Sequence, residues 1–394
     1  LKQPPDRRVV CHLIERLSVG GAEGLVHRLA VRQRAGDYEP MVCCLEGGPL
    51  RCHLERDGVK VVCLELSRPS ILNPRFPIFA ATALLRMWAL VRRHGVAILH
   101  AHMPDSIILA AAAGALSGAR VVASYHGLGM LPAGRARIDP RNRLRGLLYR
   151  AAETLSDRTI AVSSSVRERL CQDFGFSPEA TVLILNGVEI DLFEKPRETS
   201  ALRTELGVAP GEPVITCIAR LVPNKGQRFL IEAMSAVVKE HPHALLLLVG
   251  DGRSAGDLRS LVARLGLARR VRFTGVRTDA PDILALSDTF VLPSLAEGIP
   301  LALIEAMASG KPVVASDVPG CREVVLDRRF GWLVPARDPA ALAEAILALL
   351  GAPEAAREMG ERARERAREQ FNVGRTCFET ERLYDAVLTG RADP

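Results

Sequence analysis

Short β-branched runs alternate with longer amphipathic stretches along the whole chain. In the first half "VVCHLI", "MVCCL", "VKVVCLEL", "AILHAH", "RVVASYH", "RTIAVS" and "TVLIL" read as strands. Helix-length segments such as Ala22–Arg34, Phe76–His94 and Arg141–Leu155 lie between them. The second half repeats the rhythm with "PVITCIAR", "ALLLLVG", "VRFTG", "TFVLPS" and "PVVAS". Strands that are apolar throughout and separated by helices imply parallel sheets covered on both faces. In "NGVEIDLFEKPRETS", Asn186–Ser200, periodicity lapses and turn residues gather, which reads as a linker. The chain closes with a charged helical tract, "APEAAREMGERARERAREQF", and an amphipathic helix near Thr376–Leu388. The expectation is an α/β protein of two Rossmann-like, doubly wound domains, residues 1–190 and 191–375, followed by a terminal helix over 376–394. Ligands of such sheets bind beyond the carboxyl ends of the strands, so the cleft between the domains is the expected site.

A length of 394 residues exceeds one comfortable core and agrees with two domains. With 48% hydrophobic and 25% charged residues the chain is neither disordered nor fibrous. The apolar run Ile107–Leu116 is too short for a membrane span, and Phe79–Leu90 carries Arg86. The opening "LKQPPDRRVVCHLIERL" lacks the basic-then-apolar layout of a secretory leader. Nine cysteines form no CxxC pair, which favours reduced thiols and a cytoplasmic setting. Residues 1–190 hold 25 Lys and Arg against 17 Asp and Glu, and the remainder 27 against 28. Much of the excess lies in "RARIDPRNRLRGLLYR", Arg135–Arg150. That stretch suits either a solvated helix face or attraction to an anionic membrane or phosphorylated acceptor. Few aromatics interleave with it, so nucleic acid is not an expected partner.

Candidate chemistry concentrates in "SLAEGIPLALIEAMASGKPVVAS", Ser294–Ser316. Glu297 and Glu305 flank an almost wholly apolar segment, where an unpaired carboxylate would be costly. Pro300 suits a first helical position and Gly310 the position past the end, so a helix is expected over roughly 300–309. The amides of Leu301 and Ala302 then belong to its open N-terminal turn, which favours an anion. A phosphate cradle between two hydroxyl acceptors fits a nucleotide sugar: the diphosphate in the middle, ribose at one carboxylate, the transferred sugar at the other.

"CIARLVPNKGQRFLIEAM" places Arg220 at a strand end and Lys225 in the loop after it, before a helix starting near Gly226. Two cations at a strand–loop–helix junction can neutralise a diphosphate. Gly250 and Gly252 in "LVGDGR" permit close backbone approach to a nucleotide, or serve only the turn. Gly20 and Gly21 precede a helix without completing a dinucleotide or P-loop fingerprint. His126 ends a strand in "VVASYHGLGML", where it either touches a ligand or packs. His100 and His102 in "LHAHMPDS" lack a convincingly spaced third metal ligand, so turn packing is favoured.

Together "GGAE", "SYHG", "NGVEIDLF", "ARLVPNKG", "GDG" and "EGIPLALIE" with its continuation "AMASGKPVVASDVPG" resemble glycosyltransferase family 4, over nearly the whole chain. The resemblance implies a GT-B fold and retaining transfer from a nucleoside-diphosphate sugar, without a cofactor or bound metal. It further implies that Glu305 binds the ribose, and that Arg220, Lys225 and the Leu301 and Ala302 amides bind the diphosphate. Glu297 would bind the donor sugar, and His126 the sugar near the acceptor. The last helix would cross back onto the first domain. Two positions depart from the family pattern: Pro300, where glycine is common and an amide is lost, and Ala219 before Arg220. The expected acceptor is a glycan or lipid-linked glycan of the cell envelope, at the cytoplasmic face of the membrane. The alternatives are a GT-B nucleotide-sugar epimerase and a non-catalytic two-domain sugar-binding protein. Lys225→Ala is expected to spare the fold and slow transfer.

Overall fold

The computed structural model describes residues 7–18, 20–67, 69, 73–127 and 140–390, with side chains of the helix beginning at Pro140 described from residue 146 onward. The chain divides into two compact units, residues 1–186 with 373–394, and residues 187–372.

The first unit opens with β1 (Arg8–Arg16), α1 (Gly21–Gln33), β2 (Tyr38–Glu46), α2 (Leu50–Arg56) and β3 (Lys60–Cys63). It continues through α3 (Phe76–His94), β4 (Val96–His102), α4 (Pro104–Ser117) and β5 (Arg120–Tyr125). Then follow α5 (Pro140–Thr154), β6 (Arg158–Ala161), α6 (Ser164–Phe174) and β7 (Thr181–Leu183). Its seven strands run in the order β3-β2-β1-β4-β5-β6-β7, and every pairing is parallel. Strand order reverses between β1 and β4, the point where such sheets leave a crevice at their carboxyl ends.

The second unit begins with α7 (Ile190–Glu194) and α8 (Ser200–Leu206). Its strands are β8 (Val214–Ile218), β9 (Leu245–Val249), β10 (Val271–Gly275), β11 (Thr289–Leu292), β12 (Val313–Ser316) and β13 (Trp332–Val334). Between them stand α9 (Gln227–Glu240), α10 (Ala255–Arg264), α11 (Ala280–Leu286), α12 (Leu301–Ala308) and α13 (Pro319–Val325). The unit ends with α14 (Pro339–Gly351) and α15 (Pro353–Gln370). Strand order is β10-β9-β8-β11-β12-β13, again all parallel, with its reversal between β8 and β11. The last helix, α16 (Val373–Thr389), packs in the first unit against α1 and β5. No single described helix is long and apolar enough to cross a membrane.

The central strands explain the continuous apolar runs. Leu245–Val249 is buried at every position because helices cover both sheet faces. All nine cysteines are free, and Cys52 alone among them is exposed.

The segment Asn186–Ser200 is not a plain linker. Ile190 and Phe193 bury the inner side of a short helix that packs on α11 and α12, so it is built into the second unit. One apolar pair three residues apart was too brief to register as periodicity. The weak edge strand β13 was missed for the same reason: three residues carry little pattern.

Candidate functional site

In the second unit the loops after β8 and β11 meet where strand order reverses. Beyond β8 the chain makes a single 3₁₀ turn, Pro223–Lys225, and reaches Gly226 in the left-handed region at φ 68° before α9 begins at Gln227. A Cβ on Gly226 would lie 2.0 Å from the Pro293 carbonyl oxygen, so only glycine lets the two loops close. The Leu295 amide donates to the Asn224 carbonyl at 2.8 Å. These backbone contacts deliver Lys225 to Glu297, and Nζ donates to Oε1 at 2.6 Å. The side chains are 19% and 9% exposed, so most of their hydration is gone. Glu297 thus lies beneath the surface, partnered by a lysine.

That pair corrects the expectation for Lys225→Ala. Removing one partner of a dehydrated ion pair strands the other charge, so the fold pays as well as the chemistry. For Gly226→Ala we expect the left-handed backbone alone to cost about 1–2 kcal/mol, with the Pro293 clash added. Thermal unfolding would show a marked fall, and an unchanged melting temperature would refute the close-approach argument.

Helix α12 starts at Leu301, one residue later than the sequence suggested. Pro300 is its N-cap, extended at φ −83° and ψ 97°, and its carbonyl accepts from the amides of Leu303 and Ile304 at 3.0 and 3.2 Å. Helix geometry leaves the first amides, those of Leu301 and Ala302, without an intrahelical acceptor. Apolar Ile299, Leu301 and Leu303 are buried around this turn. Behind it Gly320 of α13 abuts the Glu297 and Gly298 carbonyls, where a Cβ would come within 2.8 and 2.5 Å. Glu305 occupies the second turn of α12, partly buried. Arg220 is exposed at the end of β8, and its carbonyl accepts from Gln227 Nε2 at 2.9 Å.

Gly250 and Gly252 have a structural task. A Cβ on either would lie 2.2 Å from the Ala219 oxygen or 2.4 Å from the Leu221 oxygen. Their backbone approaches the chain after β8, and the Leu221 amide donates to the Asp251 carbonyl at 2.9 Å. The glycines therefore shape the loop carrying Arg220.

In the first unit Gly21 is the first residue of α1, and Gly20 is its extended N-cap, not a pair wholly ahead of the helix. His126 follows β5 directly. Its surroundings were not legible beforehand. His12 on β1 and His100 and His102 on β4 are all buried. His100 and His102 are therefore strand residues in the core, not turn packing, because residues two apart on a strand share a face.

A hydrogen-bonded chain joins these rings to His126. Its Nε2 meets His102 Nδ1 at 3.0 Å, His102 Nε2 meets His12 Nδ1 at 3.1 Å, and His12 Nε2 meets Gln33 Oε1 at 2.8 Å. With Gln33 accepting through oxygen, each neutral ring donates from Nε2 and accepts at Nδ1, and Asn186 Nδ2 donates to His126 Nδ1 at 3.4 Å. His100 bonds separately to Tyr384 OH and Ser124 Oγ, at 2.5 and 2.7 Å. Burial pulls His12 and His126 down to about 4 and holds His100 and His102 well below their ordinary range. His12, His100 and His102 bring ring nitrogens within 4.8 Å of one another. Every one of those nitrogens already makes a hydrogen bond, so a metal would have to break several at once. The signal was available in "VVCHLI" and "LHAH", where histidines interrupt buried strands.

Two family models match the chain: "Glycosyl transferases group 1" over residues 212–352 and "Glycosyltransferase Family 4" over residues 19–192. The N-acetyl-alpha-D-glucosaminyl L-malate synthase of Bacillus anthracis is 30% identical over 375 residues, 94% of this chain and 95% of the relative. An Escherichia coli alpha-1,3-galactosyltransferase named for UDP-Gal and GlcNAc-diphosphoundecaprenol is 28% identical, over 76% of this chain and 77% of its own. Anabaena HepE, solved with UDP and glucose, superposes with a TM-score of 0.83 at 25% identity, covering 96% of this chain and 99% of that one.

Proposed function

Since the chain belongs to glycosyltransferase family 4 and has the GT-B fold, we propose that it moves a hexosyl group from a nucleoside-diphosphate sugar to a hydroxyl of a glycan or lipid-linked glycan, retaining anomeric configuration. The observation that carries the donor half is the Lys225–Glu297 pair at the strand-order reversal, beside the open turn of α12.

Transfer breaks the bond between the anomeric carbon and the diphosphate oxygen, leaving positive charge on the sugar and negative charge on phosphate. Lys225, Arg220 and the Leu301 and Ala302 amides receive the growing negative charge. Groups fixed before the reaction stabilise that charge without reorganising. A diphosphate arriving at Lys225 competes with Glu297 for the ammonium. The carboxylate is then released to accept hydroxyls of the transferred sugar, and Glu305 takes the ribose hydroxyls. Charge transferred from one partner to another keeps the lysine neutralised throughout. In the first unit, His126 meets the sugar near the acceptor, and the Gly20–Gly21 turn offers backbone to phosphate. The histidine chain behind His126 fixes which of its nitrogens carries the proton. The departing phosphate oxygen takes the acceptor's proton while the acceptor oxygen bonds the anomeric carbon on the same face.

The Escherichia coli relative, whose printed name includes a diphosphoundecaprenol acceptor, supports a lipid-linked acceptor, and our reading sets the reaction at the cytoplasmic face of an anionic membrane. The basic stretch Arg135–Arg150, the earlier candidate for that contact, lies outside the described residues up to residue 139, and its side chains are described only from residue 146. Incubation with labelled UDP-, GDP- and ADP-sugars, with and without lipid-linked acceptors, tests the reading. Acceptor-dependent release of one nucleoside diphosphate, with the anomeric configuration kept in the product, is expected. Epimerised donor formed without any acceptor would overturn it.

A further inference from the structure

Helix α3 carries an apolar stripe on the side where a helix at a protein surface is normally polar. Its inward face is complete: Ala83, Met87, Leu90 and Val91 are buried. On the outer face Ile78 is 70% exposed, Leu85 65% and Trp88 41%. These positions are seven and then three residues apart, which aligns them along one side of the helix. The stripe extends beyond one element. Helix α3 packs on α4 and α4 on α5, and those neighbours expose Leu116 and Leu147. Several large apolar side chains exposed on one packed set of helices point to an interaction site.

The charges around the stripe identify what covers it. The nineteen residues of α3 include no aspartate or glutamate. Arg75, Arg86, Arg92 and Arg93 are all exposed, and among the described residues none has a carboxylate partner. A second copy of the chain docking face to face would set one arginine-bearing helix face without carboxylates against another, because such an interface repeats one patch on both sides. An anionic lipid surface instead offers phosphates to the arginines and acyl chains to the leucines, with tryptophan at the boundary between them.

We propose that the outer face of α3, extended by Leu116 and Leu147, is a membrane-docking surface that seats on anionic phospholipid. The lipid-linked character of the acceptor rests on the transfer reading above; the docking does not. In the bound state Ile78, Leu85 and Trp88 enter the headgroup boundary, and the arginines pair with lipid phosphates.

Co-sedimentation of the full chain with vesicles tests this. Wild type should pellet with phosphatidylcholine–phosphatidylglycerol vesicles and remain in solution with phosphatidylcholine alone. The variant carrying Leu85→Glu and Trp88→Glu should stay in the supernatant, and Arg92→Glu with Arg93→Glu should each weaken binding about fivefold at low salt. In a chain with Trp332→Phe, Trp88 fluorescence should shift to the blue on binding. The proposal is overturned if wild type ignores anionic vesicles or if the Leu85–Trp88 variant pellets like wild type. A solution dimer dispersed by that variant would assign the face to a second copy and overturn it equally. Acceptor-dependent release of nucleoside diphosphate, followed in parallel with detergent-dispersed lipid-linked acceptor, separates the two readings. Failure of wild type to dock while release is intact contradicts this inference alone, whereas docking by a chain that transfers no sugar contradicts the transfer reading alone.

Discussion

Lys225→Met is expected to slow sugar transfer about a hundredfold or more, the effect of removing one preorganised charge-stabilising group. The same substitution is expected to cost about 3–5 kcal/mol of stability, because it leaves Glu297 buried without its cation. Adding Glu297→Leu removes the stranded charge and should recover most of that stability while leaving transfer slow. Dehydrated ion pairs replaced by apolar groups of similar volume are often neutral in cost. Urea unfolding and initial rates on the two single variants and the double variant separate the effects. Equal stability across all four proteins would mean that the pair is solvated and contributes nothing to the fold. Rapid transfer by Lys225→Met would remove the lysine from the chemistry.

Acidification is expected to produce the second large effect, on the first unit. His12 and His126 are lowered by burial to about 4 in the folded chain, against 6.5 for an exposed ring. The unfolded chain therefore binds protons that the folded chain refuses. The stabilisation is complete above about pH 6.5 and is lost as pH falls toward 4, and by about pH 5 each histidine removes roughly 2 kcal/mol. His100 and His102 shift in the same direction and add to the loss. Denaturant unfolding at neutral pH and near pH 5 measures it, and His12→Gln should flatten the dependence by one histidine's share. Equal stability at both pH values would mean that the rings are protonated or solvated in the folded state.

The two sheets were legible because their central strands are largely apolar and alternate with helix-length stretches, as burial on both faces requires. The donor loop was legible because acidic residues stand out in an apolar segment bounded by Pro300 and Gly310. What stayed hidden depends on meetings across the sheet. Lys225 and Glu297 lie 72 residues apart in sequence, and nothing local says that they touch. The histidine chain joins residues from β1, α1, β4 and the end of β5, and each histidine alone reads as an ordinary core residue. Gly250 and Gly252 were read by type, as freedom for a ligand's approach or for the turn alone, and only the folded chain shows the Ala219 and Leu221 carbonyls against them. The same limit applies to α3. Its apolar character was visible, but the fact that Ile78, Leu85 and Trp88 face outward emerges only once the inward side is filled by other residues.

A crystal of the chain soaked with a nucleoside-diphosphate sugar tests the central claim most directly. The account predicts diphosphate density against the Leu301 and Ala302 amides, with Lys225 turned from Glu297 toward phosphate and a sugar hydroxyl in the lysine's former place. Diphosphate bound elsewhere, with the Lys225–Glu297 bond intact, would contradict it.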